Sequence, residues 1–135
     1  MFDKLQVGIR GKRSVQVVEE NTAAYWGSGD VYVFSTPHMV GLMESAAVAA
    51  VDHLLPDGYR SVGTMVTIKH LASTPMGNQV DAYATLSEVD GRRLVFDLVA
   101  YSDGLKIGQG THVRIAVQLD RFMAKSNARR QSPQP

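Results

Sequence analysis

TPHMVGLMESAAVAAVDHLLPDG, residues 36–58, carries the punctuation of a helix at both ends. Thr36 stands where an N-cap hydroxyl is expected, Pro37 suits the first helical position, and Pro56-Asp57-Gly58 is a stop signal. Between them the helical wheel is apolar on nearly every side, through Met39, Val40, Leu42, Met43, Ala46, Ala47, Val48, Ala50, Val51 and Leu54. A helix with no polar face belongs in an interior, so other elements must wrap around it.

The wrapping is legible downstream. Residues 61–72, 79–89, 92–101 and 107–119 read as strands, joined by Gly- or Pro-containing turns. Asp90-Gly91 and Asp103-Gly104 are hairpin signals, so the strands form an antiparallel meander. In the last strand Ile107, Thr111, Val113, Ile115, Val117 and Leu119 share one face, and Gly108, Gly110, His112, Arg114 and Gln118 share the other. Residues 5–18 suit an edge strand or two short pieces. ENTAAYWGSGD, residues 20–30, is a turn-rich loop whose Tyr25 and Trp26 either anchor a surface loop or form an aromatic flap over a pocket. The expected fold is α+β, a curved antiparallel sheet around one long central helix, which is the hot-dog arrangement. It is expected as a single domain over residues 1–125, followed by a disordered tail over 126–135.

Composition narrows the function classes. The 135 residues carry 14 Lys and Arg against 13 Asp and Glu, a net charge of +1 that gives no basic field for nucleic acid or a lipid surface. No cysteine is present, which removes disulfides, zinc–thiolate sites and a thiol nucleophile. No apolar run reaches the length of a signal peptide core or a membrane span, so a soluble cytoplasmic protein is expected. No metal motif, P-loop or dinucleotide fingerprint occurs, and neither a metal nor a cofactor is expected.

The chemistry-bearing residues concentrate around the helix. Glu44 is the only acidic residue among the apolar positions from 39 to 51, and a carboxylate so placed either meets solvent and a cation or has a chemical task. Thr36 lies slightly over two turns earlier, and the two side chains project within about 80° of each other. His70 shares strand parity with Val62, Thr64, Val66 and Ile68, which points it toward the interior, as a satisfied core histidine or as a site residue. The helix N-terminus beside Thr36 offers free amides to a developing oxyanion. Together these groups suit acyl transfer. His38 reads as part of a turn, His53 as a charge–dipole contact, and His112 and Arg114 as members of a solvated strand face.

At these residues the sequence resembles the fluoroacetyl-CoA thioesterases of the hot-dog superfamily. The resemblance rests on TPHMVGLME (36–44), SVGT (61–64), HLASTPMG (70–77), VDGRRL (89–94) and GTHVR (110–114). It implies a catalytic set of Thr36, Glu44 and His70, a part for Gly63 in positioning the thioester carbonyl, and a contribution of Arg114 to substrate binding. It also implies a homodimer with its sites at the subunit interface. The phenylalanine-bearing lid of fluoroacetyl-selective enzymes aligns poorly with YWGSGDVYVF (25–34), where Phe34 or Tyr32 takes its place, so the reaction type carries over and the fluorinated substrate does not. The expected substrate is a small acyl-CoA or acyl carrier protein thioester. A hot-dog module that binds such a thioester without turnover, or a dehydratase or hydratase, stands as the alternative.

Overall fold

Five antiparallel strands form one sheet in the order β1-β3-β4-β5-β2, comprising β1 (Arg10–Gln16), β2 (Tyr59–His70), β3 (Gln79–Asp90), β4 (Arg93–Ser102) and β5 (Leu105–Gln118). The structure is a computed structural model and describes residues 1–131. The central helix α2 (Thr36–Val51) lies against the sheet's inner face, and the short α1 (Ala23–Trp26) precedes it. No helix among the described residues is long and apolar enough to cross a membrane.

Alternation builds the core. Val80, Ala82, Ala84 and Leu86 of β3 and Leu94, Phe96, Leu98 and Ala100 of β4 face Met39, Met43, Ala46, Ala47 and Ala50 of α2. Each large side chain so buried contributes about 1.5–3 kcal/mol. The helix can approach β1 closely only because position 11 is glycine: a Cβ there would collide with the Ala46 carbonyl and the Ala50 amide. The β4–β5 hairpin turns through Asp103 and Gly104, both with positive φ (53° and 78°), as its Asp-Gly sequence requires.

The helix is less completely enclosed than its composition suggests. Val40, Glu44 and Val48, one row spaced four residues apart, are only half-buried, and Thr36 at the head of that row is exposed. This row faces the side where β2, an edge strand, leaves the sheet open.

Three expectations need correction. Ser35, not Thr36, is the N-cap: its Oγ accepts from the His38 amide at 3.1 Å, which places Thr36 at the first helical position and Pro37 at the second. The face of β5 bearing Gly108, His112 and Arg114 is not solvated but turned inward, with His112 and Arg114 only 1% and 7% exposed. The glycine permits the close approach of α2 to this face, since a Cβ at Gly108 would press into the side chain of Met39. Finally, residues 126–131, expected in a disordered tail, continue α3 (Leu119–Ala128) and a following 3₁₀ turn. Gln118 caps that helix through the Arg121 amide, with Asp120 and Lys125 complementing its dipole. The remainder of the expected tail, 132–135, lies outside the described residues.

Candidate active site

Two clusters of predicted residues form along one face of α2, one at its N-terminus and one near its middle. In the first, Thr36 Oγ1 lies 2.7 Å from His70 Nδ1. Because Ser35 does the capping, the Thr36 hydroxyl is free to make this contact. Either the hydroxyl donates to an unprotonated Nδ1, or an Nδ1–H donates to the hydroxyl oxygen. The His70 Nε2 is buried and has no hydrogen-bond partner among the described residues. Burial pushes the His70 pKa below the ordinary 6.5, with the Ala72 backbone acting more weakly in the opposite sense. The ring is therefore neutral near pH 7 and able to accept a proton. Pair and cleft belong together: Thr36, His70, Ala23, Val33, Phe34 and Leu71 line a recess of about 420 Å³.

The helix end offers less to an oxyanion than its sequence suggests. Pro37 has no amide proton, the His38 amide is taken by Ser35 Oγ, and the Met39 amide by the Ser35 carbonyl. The Thr36 N–H is the first-turn amide left without a protein acceptor among the described residues.

A β-bulge on β2 decides which of its side chains face this site. Opposite β5, the register runs from Gly63↔Arg114 directly to Met65↔Val113, so Thr64 is the extra residue. Ser61 and Gly63 face inward before the bulge, and Val66, Ile68 and His70 face inward after it. The parity reading thus holds for His70, Ile68 and Val66 and is inverted for Val62 and Thr64.

The second cluster surrounds Gly63. A Cβ at that position would stand 3.1 Å from His112 Cε1, 3.2 Å from Glu44 Oε2 and 3.4 Å from Arg114 Nη1. Glycine is what lets these three side chains converge beside a smaller recess, about 210 Å³, reached by Glu44, Gly63 and His112. Arg114 Nη1 lies 3.9 Å from Glu44 Oε2. The rest of the guanidinium is spent internally: Nε donates to Ser61 Oγ at 2.7 Å and Nη2 to the Ser61 carbonyl at 2.9 Å, while Asp52 holds Ser61. Burial lowers the Arg114 pKa, and Asp52 and then Glu44 oppose it. So placed, Arg114 turns Nη1 toward Glu44.

Thr36 and Glu44 are two turns apart, about 12 Å along the helix axis. One chain therefore joins Thr36 to His70, and Glu44 to Gly63 and Arg114, without joining the two groups. Phe34 is 1% exposed and forms a wall of the Thr36 cleft, whereas Tyr32, Tyr25 and Trp26 are exposed. Trp26 packs edge-on against His38, with centroids 5.3 Å apart, and anchors the loop to the first turn of α2. A recess of about 440 Å³ at the other end of the helix, bordered by Asp52, Asp57 and Arg60, contains none of the predicted site residues. Sequence reasoning missed Ser61, Asp52 and the inward His112; the glycines sharing the His112 face were the available signal.

The two depressed histidines give the fold a pH signature. Burial lowers the pKa of His112 as well, helped by Arg114 and opposed by the Met65 carbonyl and Glu44. The unfolded chain regains the ordinary value near 6.5, so in acid it binds more protons than the folded state. The stabilisation is complete above pH 6.5 and is lost as pH falls through the lowered folded pKa values. Melting temperatures are expected to drop between about pH 7 and pH 5.5, above most carboxylate titration, and to drop less in a His112→Gln variant. A flat melting temperature across that window excludes the neutral-histidine assignment.

Residues 17–120 match the family of fluoroacetyl-CoA-specific thioesterases. The fluoroacetyl-CoA thioesterase of Streptantibioticus cattleyicolor is 44% identical over 93 residues, covering 69% of this chain and 67% of that protein. A substituted form of the fluoroacetyl-CoA-specific thioesterase FlK, crystallised in complex with fluoroacetate and CoA, superposes with a TM-score of 0.81 at 35% identity, covering 87% of this chain and 99% of that one. A thioesterase superfamily member from Thermus thermophilus gives 0.87 at 26% identity, covering 93% of each chain.

Proposed function

The chain belongs to the fluoroacetyl-CoA-specific thioesterase family, and from that membership we propose that it hydrolyses a small acyl-CoA to the free acid and coenzyme A. The observation that carries the reading is the 2.7 Å contact of Thr36 with a neutral His70, at the mouth of a cleft and within the segments that carry the family likeness. Glu44 supplies the carboxylate that attacks the thioester carbonyl or deprotonates the attacking water. Thr36 orients the reacting group through its hydroxyl, and His70 takes up a proton and delivers it to the departing thiolate. Gly63 leaves room for the thioester beside Glu44. Phe34 shapes the cleft wall, and Arg114 supports the site through Glu44.

The enzyme acts as a homodimer in this reading. Strand β2 lies at the sheet edge, carries no charge from Ser61 to Ile68, and exposes Met65 and Val66 at 55% and 37%. Natural sheets guard such edges, as the Arg10, Lys12 and Arg13 of the other edge strand do here. Antiparallel self-pairing of β2 about a two-fold axis covers the unguarded edge. It lays the His70 end of one strand beside the Gly63 end of the other, bringing Glu44 of a second copy to the Thr36–His70 pair. Substrate chemistry suits the cytoplasm.

Thiol release from a panel of short, branched, aromatic and halogenated acyl-CoAs, with acyl carrier protein thioesters as a separate arm, tests the function. Hydrolysis of at least one acyl-CoA, with a preference among acyl groups, is expected. Tight acyl-CoA binding with no thiol release would make the protein a non-catalytic module, and conversion of an enoyl or 3-hydroxyacyl thioester with the thioester intact would make it a hydratase.

A further inference from the structure

His112 has no part in the chemistry above, yet it is 1% exposed and stands at the centre of the second cluster. Its Nδ1 lies 2.7 Å from the Met65 carbonyl, and its Nε2 lies 3.1 Å from Arg114 Nη1. A carbonyl can only accept, so Nδ1 must carry the ring proton. A guanidinium can only donate, so Nε2 must be a bare lone pair. Both contacts are satisfied by one species alone, the neutral Nδ1–H tautomer. An imidazolium would set N–H against N–H and place a second cation beside Arg114.

That assignment completes a fixed frame around the guanidinium. Ser61, clamped by Asp52, holds Nε and Nη2, and His112 holds one proton of Nη1. The planar fork then turns the remaining Nη1 proton toward the side where Glu44 Oε2 lies at 3.9 Å. The groups facing His112 are Arg114 from its own strand, Glu44 from α2, the Met65 carbonyl from β2, and the uncharged ring of Phe96 from β4, whose centroid lies 6.1 Å away. We propose that His112 is a positioning residue: as the neutral ring protonated on Nδ1, it fixes the Arg114 guanidinium with Nη1 turned toward the Glu44 carboxylate. This rests on the reading of Glu44 as the acting carboxylate. His112 touches no reacting atom and acts through Arg114.

Histidine-labelled nitrogen NMR of the full protein at about pH 7.5 tests the tautomer directly, with the His112 signals assigned from a His112→Gln variant. A protonated Nδ1 and a bare Nε2 are expected; an Nε2–H tautomer or an imidazolium overturns the proposal. For the kinetic arm, His112→Asn keeps a donor for the Met65 carbonyl but offers Arg114 no acceptor. It is expected to lower kcat about tenfold or more with KM changed less than about twofold, and in an Arg114→Met background to add less than about twofold. His112→Gln, which places a carbonyl oxygen near the ring Nε2 position, is expected to retain kcat within about threefold. Unaltered kcat in His112→Asn, equal losses in the two backgrounds, or a Gln variant as impaired as the Asn variant overturns the proposal. If the parent hydrolyses no acyl-CoA, the functional reading has failed instead, and the tautomer spectrum still judges the His112–Arg114 geometry.

Discussion

Replacing His70 by Ala or Glu44 by Gln is expected to lower kcat for acyl-CoA hydrolysis by about a hundred- to ten-thousand-fold, the range lost with a positioned acid or base. His70→Ala removes the contact with Thr36 Oγ1 and the buried Nε2 that can relay a proton. Glu44→Gln preserves shape and the approach to Arg114 Nη1 while removing the charge and the basic oxygen. Neither change opens the main core, since His70 is half-buried and Glu44 keeps 38% of its side chain exposed. Circular dichroism should therefore show a folded chain in both cases. Thiol release within about threefold of the parent by either variant removes that residue from the chemistry.

Mixing these two inactive chains is expected to restore activity. If each centre takes Thr36 and His70 from one copy and Glu44 from the other, a dimer of one His70→Ala chain and one Glu44→Gln chain has one wholly intact centre and one doubly damaged centre. Random pairing makes half of the dimers mixed, so about a quarter of the parental activity returns. Co-expression with two affinity tags isolates the mixed species, which should show about half of the parental kcat. If the three residues worked within one chain, no mixed dimer would contain an intact centre. Absence of recovery in purified mixed dimers defeats the shared-site arrangement. Substituting Met65 and Val66 with Lys would charge the β2 edge and provides a control in which pairing itself is blocked.

Much of the architecture was legible because its signals are local. The helix of residues 36–51 announces itself by composition and by its proline, and the hairpins by Asp-Gly pairs whose glycines adopt positive φ. The family likeness pointed to Thr36, Glu44 and His70, but local pattern could not show that they fall into two clusters about two helical turns apart. Two misreadings share a cause. Ser35 and Thr36 are both capable caps, and only tertiary placement beside His70 distinguishes them. The inward face of β5 looks polar in sequence because its polar groups satisfy one another across strands: Arg114 bonds Ser61, and His112 bonds Met65. A period-two reading has no access to such long-range partners. Nor does it register a bulge, since Thr64 resembles any other strand residue until its pairing with β5 is seen.

The bulge at Thr64 has an implication for how this strand can change. Strand β2 is written in two phases, odd positions inward up to Gly63 and even positions inward from Val66 onward. Gly63 and His70 belong to opposite phases and meet the same interior only because one residue between them goes uncounted by the neighbouring strand. Every side chain along β2 can be exchanged without disturbing that count, whereas flattening the bulge so that Thr64 pairs like its neighbours leaves a single alternation that must turn either Gly63 or His70 outward. The strand is thus more tolerant of a change in spelling than of a change in register.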